Sequence, residues 1–465
     1  MARTRVDSAV MAEVVSQLQA RFSNRCSTSV SVREQHGNIT TWLPNEAPDV
    51  VVFPQDEAEV QEIVKIAAAN KVPVIAFGTG SSLEGHVNAP YGGISIDLSN
   101  MKKIIAVHPE DLDCVVEPGV TRKELNDYLK SYGLFFPIDP GADASLGGMV
   151  ATRASGTNAV RYGTMKDNVL ALDAVMANGE MMRTARRAKK TSAGYDLTRL
   201  LVGSEGTLGI ATKITLRLSG LPEAISGGVC PFPSVKAAAD AVIMTIQSGI
   251  PVARIEIMDE LQVKAVNTYS KLTLPEQPLL FLEFHGSDTG VAEQAERFGE
   301  IAADLGGGPF NWASRPEERS KLWAARHDVY WSCKALRPGA EALATDVCVP
   351  ISALADCIDE TKEDIAKTGL LAPIVGHVGD GNFHVSVMVD RHSPAEVEVV
   401  EGFLKRLVER AHKFDGTCTG EHGVGQGKKK YLKAELGEEA VMAMRAIKQA
   451  LDPDNIMNPG KIFDV

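Results

Sequence analysis

The stretch Ile374-Val375-Gly376-His377-Val378-Gly379-Asp380-Gly381-Asn382-Phe383-His384-Val385-Ser386-Val387 sets two histidines symmetrically about an Asp-Gly dipeptide. The β-prone arms predict a hairpin closed by a two-residue type I′ turn at Asp380-Gly381. Counting outward pairs Gly379 with Asn382, Val378 with Phe383 and His377 with His384. Directly opposed residues share a face with Cβ atoms ~4.5–5.5 Å apart, close enough for two imidazoles to hold one metal ion. Either histidine alone reads more simply as a hydrogen-bonded hairpin residue; the matched pair is what points to a metal.

Downstream, Thr417-Cys418-Thr419-Gly420-Glu421-His422-Gly423-Val424-Gly425 carries an acid and a histidine in a glycine-rich turn. Neighbouring residues do not easily face one ion, so the two take different work. Glu421 completes a His377–His384–Glu421 set with open positions, the arrangement of a catalytic site. His422, beside the ion, is disfavoured as imidazolium and stays available as a base. The plainer reading of this pair is loop capping. Arg326, in Trp323-Ala324-Ala325-Arg326-His327, offers a guanidinium that can clamp a carboxylate, though on its own it reads as a surface ion-pair partner.

Glycine-rich runs surround this chemistry. Val72-Pro73-Val74-Ile75-Ala76-Phe77 is a strand running into Gly78-Thr79-Gly80-Ser81-Ser82-Leu83-Glu84-Gly85-His86. Leu83 stands where a dinucleotide fingerprint needs its third glycine, and His86 and Val87 replace the Lys and Ser/Thr of a P-loop. A pyrophosphate cradle of amides and hydroxyls remains, alongside an ordinary strand-ending loop. A second run, from Pro140-Gly141 through Leu146-Gly147-Gly148 and Ala151 to Gly156 and Gly163, permits backbone to approach a flat ligand closely.

The chain has 465 residues, enough for two or three domains, each able to bury a core. Its 44% apolar and 23% charged content is that of a globular protein. A net charge of −12 argues against nucleic-acid binding as the main role. No run approaches the ~18 apolar residues of a membrane span. Residues 1–22 carry Arg3, Arg5 and Arg21 but also Asp7 and Glu13, and read as a surface helix rather than a targeting segment. The 7 cysteines are scattered without a Cys-x-x-Cys. That usage implies a reducing, cytoplasmic setting, with a peripheral position at the inner membrane as the alternative.

Helix starts are marked by Asp56 with Glu59, by Thr121 with Glu124, and by Ser234. Strand-like pieces at 94–98, 104–107, 114–117, 169–177 and 211–218, with a hairpin at Asn178-Gly179, close an α+β domain near residue 220. Beyond it, strands at 252–258, 279–284 and 344–349 alternate with helices at 234–248, 289–305, 351–367 and 395–414. These predict a second α+β unit, a mostly antiparallel sheet covered by helices on one face. Arg186, Arg187, Lys189 and Lys190 read as a solvated basic face.

The Gly78–Gly85 loop, Leu146-Gly147-Gly148 and Gly203-Ser204-Glu205-Gly206-Thr207-Leu208-Gly209-Ile210 together resemble the flavin domain of the vanillyl-alcohol oxidase and p-cresol methylhydroxylase family. That resemblance implies an α+β fold: a two-part FAD-binding domain over 46–221 after an N-terminal arm (1–45). A substrate and metal cap (222–425) with a largely antiparallel sheet follows, and then a C-terminal helical segment (426–465) returns to the flavin. It implies that Phe77, Gly78, Thr79, Gly80, Ser81 and Ser82 hold the FAD pyrophosphate. Pro140, Gly141, Leu146, Gly147, Gly148, Ala151, Gly156, Gly163, Glu205, Gly206 and Ile210 would line the rest of the cofactor. Some members tether FAD through a histidine in the first loop. Ser81 occupies that position, so FAD is expected to be noncovalent, with His86 the lesser candidate for a tether.

From Lys321 onward the likeness narrows. Leu322-Trp323-Ala324-Ala325-Arg326-His327, Ala335-Leu336-Arg337-Pro338-Gly339, Thr345-Asp346-Val347-Cys348-Val349-Pro350, the His377–His384 stretch and Gly420-Glu421-His422-Gly423 resemble FAD-dependent D-2-hydroxy-acid dehydrogenases. The cytochrome-type D-lactate dehydrogenases are nearest. The ending Leu451-Asp452-Pro453-Asp454-Asn455-Ile456-Met457-Asn458-Pro459-Gly460-Lys461 also matches, and implies that Asn458 approaches the flavin. Arg326 then anchors the substrate carboxylate. A zinc or manganese ion sits on His377, His384 and Glu421, His422 is the base, and the Cα hydride goes to FAD. D-2-hydroxyglutarate dehydrogenases carry extra polar residues for a second carboxylate where this chain has Tyr330 and Ala344, which argues for one carboxylate. The expected partners are a small 2-hydroxy acid and an electron acceptor (cytochrome, quinone or electron-transfer flavoprotein), with a homodimer left open. The rivals are D-2-hydroxyglutarate dehydrogenase, a flavin subunit of a glycolate oxidase complex, a non-redox transferase on the same scaffold, and a metal-stabilised interaction module.

Overall fold

Side-chain capping sets the helix starts. Asp56 accepts from Glu59 N at 3.0 Å and Ser234 from Ala237 N at 3.1 Å. Thr121 and Glu124 form a reciprocal capping box. The computed structural model describes residues 4–313, 317, 323, 326 and 328–465, so Arg3, Leu322, Ala324, Ala325 and His327 lie outside the described residues. Its chain divides into two units.

The first unit takes the chain up to Ser155, Gly163–Leu221 and Glu421–Val465. Strands β1 (Cys26–Ser27), β2 (Val50–Val52), β3 (Val74–Phe77) and β4 (Ile94–Asp97) form a sheet in the order β1-β2-β4-β3. Both β2 and β3 run parallel to β4, and helix Glu57–Ala69 makes the crossover that a parallel pair needs. Val60, Ile63, Val64 and Ala67 of that helix pack with Met11, Val14, Leu18 and Phe22 of helix Ser8–Phe22. The N-terminal helix is therefore amphipathic, with one face in the core.

Strands β5 (Ile104–His108), β6 (Asp113–Val116), β8 (Val169–Met176), β9 (Met181–Arg183) and β10 (Gly209–Arg217) make an antiparallel sheet in the order β5-β6-β10-β8-β9, and β7 (Leu134–Phe135) pairs with β11 (Ser219–Gly220). The tail rejoins the first sheet: Val74 N donates to Ile456 O and Asn458 N to Val74 O, each at 2.8 Å. Arg186, Arg187, Lys189 and Lys190 are exposed, as expected of a solvated run, and Arg187 also reaches Asp111 at 2.6 Å and Asp113 at 3.1 Å.

The second unit comprises Gly156–Tyr162 and Pro222–Gly420, so the expected division after residue 425 falls at 420 and a short piece of the glycine-rich run joins the later domain. Its sheet is built from β12 (Ala224–Pro231), β13 (Val252–Met258), β14 (Leu279–Gly286), β15 (Asn311–Ala313), β16 (Glu341–Ala344), β17 (Val347–Cys348), β18 (Ile374–Gly376) and β19 (Asn382–Val389). Their order is β15-β12-β14-β13-β18-β19-β16, with β17 also on β19.

The expectation of helices on one face is corrected, because β14 and β19 are buried on both faces. On one side, where Leu280 and Leu282 are also buried, Phe284 meets helix Asp288–Asp304, with the Phe284 and Phe298 rings 6.4 Å apart. On the other, Met258, Phe281, Val375 and Met388 pack against Val263 and Val266 of helix Glu260–Ser270 and Val329 and Cys333 of helix Val329–Leu336. That second face also carries Arg254, Glu256, Glu283, His384 and Ser386, since side chains alternate along each strand.

The His377/His384 hairpin differs from its expected form. Val375, not His377, lies opposite His384. Residues Val378–Asp380 form a 3₁₀ turn, and Gly381 follows at φ +78°. The turn is longer because Asn382 donates to Asp346 Oδ1 (2.9 Å) and Val347 O (2.8 Å), and Gly381 is pressed so closely on Val349 O that a Cβ would sit 2.0 Å from it. A two-residue slip preserves face parity, so both histidines remain on one side.

Asp259 caps helix Glu260–Ser270, accepting from Gln262 N at 2.8 Å. Burial pushes its carboxyl up to about 7 despite that bond. A raised acid binds its proton more tightly folded than unfolded, so its contribution is fully present below the unfolded value near ~3.9 and is lost as pH rises to about 7. Asp259→Asn keeps the cap without the charge. It is expected to raise the melting temperature at pH ~8 by the equivalent of a few kcal/mol, at ~1.4 kcal/mol per pKa unit, and to gain nothing near pH ~4. Melting curves at both pH values check it. Among the described residues no helix is long and apolar enough to cross a membrane.

Candidate functional site

On the polar face of the second unit, the rings of His377 and His384 lie 5.3 Å apart at 84°. His384 Nδ1 is 2.8 Å from Thr345 O, and a carbonyl can only accept, so Nδ1 carries the proton. His377 Nδ1 is 2.8 Å from Glu256 Oε1, which fixes the same tautomer. A histidine that donates its other N–H to a carboxylate or carbonyl is the usual support of a metal-bound imidazole. The donor set thus fits a divalent ion.

Glu256 was not singled out from sequence, and it organises this face. Its other oxygen accepts from Arg326 Nε at 2.9 Å and Nη2 at 2.6 Å. Burial alone would raise this carboxyl, but the His377 ring and the Arg326 guanidinium outweigh it and hold it below the usual range. Arg326 is therefore no surface ion-pair partner: two of its five N–H groups are on a buried acid. The available signal was an arginine and an acid, Arg254 and Glu256, alternating with apolar residues in the strand Val252–Met258.

A second acid missed from sequence, Asp346, accepts from Thr419 Oγ1 at 2.8 Å through its carboxylate and from Gly420 N at 3.3 Å through its carbonyl. The segment leading to Glu421 is thereby fastened to the strands that carry His384.

Glu421 and His422 belong to the first unit, with His422 Nε2 and Glu421 Oε1 4.0 Å apart. The next turn is held by Glu205, which accepts from Val424 N at 2.7 Å and Gly425 N at 2.9 Å. Glu205 thus serves this turn, and Asn458 spends its amide on His86 O (3.0 Å) and Glu205 O (2.7 Å).

Also in the first unit, Phe77, Gly78, Gly147, Gly148, Ala151, Gly206 and Ile210 line a narrow cavity of about 60 Å³. Pro118, Ser145 and Ser204 join them, unanticipated from sequence. Gly206 has φ +70° and open space where a side chain would be, its nearest neighbours 3.9 Å from an added Cβ. Small residues over apolar walls, with the hydroxyl-bearing Ser145 and Ser204 among them, fit a flat cofactor with a polar end.

Other expected contacts are placed elsewhere. Leu146 is buried in the hydrophobic core, Pro140 is half-buried and does not line the cavity, and Gly141 has no neighbour within 4 Å of an added Cβ. Gly156 falls in the second unit, and Gly163 is required by packing on Asp167. Thr79 and Ser81 face each other at 3.2 Å, and Gly80, at φ +68°, packs on Phe77.

Residues 48–185 match a family profile described as FAD binding domain, and residues 221–462 match FAD linked oxidases, C-terminal domain. The chain belongs to the FAD-linked oxidases. It is 52% identical over 442 residues to a probable mitochondrial D-lactate dehydrogenase of Danio rerio, covering 94% of this chain and 89% of the relative. It is 48% identical over 453 residues to a mitochondrial D-lactate dehydrogenase [cytochrome] of Arabidopsis thaliana, covering 97% and 80%. Substrate-bound p-cresol methylhydroxylase shares the fold, with a TM-score of 0.80 at 19% identity over 99% of this chain and 98% of that one. The expected PCMH-type fold and FAD-dependent oxidoreductase class stand. The cytoplasmic placement does not: these relatives are mitochondrial, and cysteine usage and N-terminal composition report a reducing setting without distinguishing compartments.

Proposed function

We propose that the chain oxidises D-lactate, or a D-2-hydroxy acid of that size, to the 2-oxo acid. The carrying observation is the pair of imidazoles, their rings 5.3 Å apart, whose Nδ1–H groups are held by Glu256 and by Thr345 O. His377, His384 and Glu421 would hold a divalent ion, zinc or manganese by the mixed donor set, that supplies a Lewis acid for the α-hydroxyl. FAD, when bound, supplies the acceptor for the Cα hydride. Arg326 offers its remaining N–H groups to the substrate carboxylate while Glu256 fixes its plane. His422 takes the hydroxyl proton on a ring nitrogen. Each turnover leaves an electron pair that an acceptor (cytochrome, quinone or electron-transfer flavoprotein) must remove, and the protein acts as a monomer or homodimer.

Substrate size follows from the wall beside His384. Ser386 lies two residues along the same strand and faces Ala344, and neither can pair with a second carboxylate's charge. Tyr330 stacks edge-on against Trp331 at 5.2 Å. Anaerobic mixing with a panel of 2-hydroxy acids tests this reading. D-lactate is expected to bleach the flavin, and L-lactate is not. Faster bleaching by D-2-hydroxyglutarate would refute the single-carboxylate site, and no bleaching by any member would refute the oxidation.

A further inference from the structure

The turn after Glu421 and His422 rests on one buried side chain. Glu205 accepts from Val424 N through Oε1 and from Gly425 N through Oε2. We propose that Glu205 is a positioning residue for the base His422, holding its turn from below, and that this clamp rather than a cofactor contact is what its side chain contributes. The inference deepens the proposed oxidation and rests on His422 being its base.

The clamp is stiff at both ends. Glu205 sits at φ +54°, a left-handed conformation that costs a non-glycine residue about 1–3 kcal/mol and persists only where surroundings impose it. They do: its N–H donates to Ala151 O at 2.9 Å, and its C=O accepts from Asn458 Nδ2 at 2.7 Å. Lys461 Nζ in turn holds Asn458 Oδ1 at 3.3 Å and Asn88 O at 2.8 Å. Burial alone would raise the Glu205 carboxyl, but His86 and the two amides together hold it below the usual range, so the turn faces an anion. His86 Nε2 is 3.4 Å from Oε1 yet not aligned for a hydrogen bond, which makes the amides the directional partners.

The turn itself has no slack. A Cβ on Gly423 (φ +81°) would lie 2.7 Å from His86 Nε2 and 2.8 Å from Glu205 Oε1, and one on Gly425 (φ +48°) would lie 2.1 Å from Glu84 O. Gln426 N donates to Glu84 O at 2.8 Å and Ile462 N to Gly425 O at 3.0 Å. One residue separates His422 from the first clamped amide, so a displacement of the amides is passed to the imidazole.

Glu205→Gln keeps the size but sets an NH₂ group against one of the two amide N–H donors. In the holoenzyme, flavin reduction by D-lactate should slow by ~10–100-fold, the loss expected when a reacting group is misplaced by ~1 Å. KM, FAD stoichiometry and the visible flavin spectrum should stay at wild-type values, a split that loss of fold or of cofactor would not give. Gly423→Ala pushes the same turn from the other side and should slow reduction with FAD retained, which keeps the test open if Glu205→Gln does not fold. FAD loss with an unchanged reduction rate per bound flavin in Glu205→Gln would return Glu205 to the cofactor and overturn the proposal, as would unchanged rates in both variants. Wild-type holoenzyme that D-lactate does not reduce would instead overturn the proposed function beneath it.

Discussion

His384→Ala is expected to lose the bound divalent ion and to cut D-lactate turnover by at least ~100-fold while FAD remains bound. The scale follows from metal sites, where even an outer support of a ligand is worth ~10–100-fold and the ion activates the reacting oxygen. The imidazole is nearly buried, with Nδ1 on Thr345 O, so its removal takes away a donor of fixed tautomer and leaves that carbonyl short of a partner. The unpaired carbonyl adds ~1–3 kcal/mol of destabilisation. FAD should stay because the cavity assigned to it is lined by residues of the first unit alone. Metal content by elemental analysis, flavin absorbance and turnover measured on one preparation separate the three. Turnover at the wild-type level would end the metal assignment.

His422→Asn is expected to keep metal and FAD and to lower kcat by ~10²–10⁴-fold, the range of a positioned general base. A base works only when unprotonated, so the wild-type rate should climb with pH through the histidine's titration and then level off. The variant has no such group and should show a flat profile over the same range. KM for D-lactate should change little, because Arg326 and not His422 is assigned to the carboxylate. A variant profile that retains the wild-type rise would place the base on another residue.

Much of the site was legible in the chain because its signals are local. Asp56, Thr121 and Ser234 announce helices through side chains that bond amides three residues away. The glycines at 78, 147, 148 and 206 mark a wall where backbone lies bare, and all four line the cavity. His377 and His384 were brought together correctly, although through the wrong register. The turn length depended on Asn382 bonding Asp346 and Val347 and on Gly381 meeting Val349 O, contacts more than 30 residues apart in sequence. Face parity survived because the slip was by two residues.

Glu256, Asp346 and the true partners of Glu205 were hidden for the same reason. An acid in a largely buried strand shows that something must pair with it, not what. Only the fold brings Arg326, 70 residues away, and His377, 121 residues away, onto the two oxygens of Glu256.

By itself, then, the sequence determined the chemistry available to this protein: two imidazoles about one turn, an acid and a histidine in a glycine-rich loop, and glycine runs suited to a flat cofactor. Those are matters of residue type and short spacing. Tertiary structure decided which nitrogen of each imidazole Glu256 and Thr345 hold, which side of the arginine is occupied, and that Glu205 accepts from the Val424 and Gly425 amides. Each of these depends on where a hydrogen-bond partner distant in sequence comes to lie, and such bonds exist only once the sheets have closed.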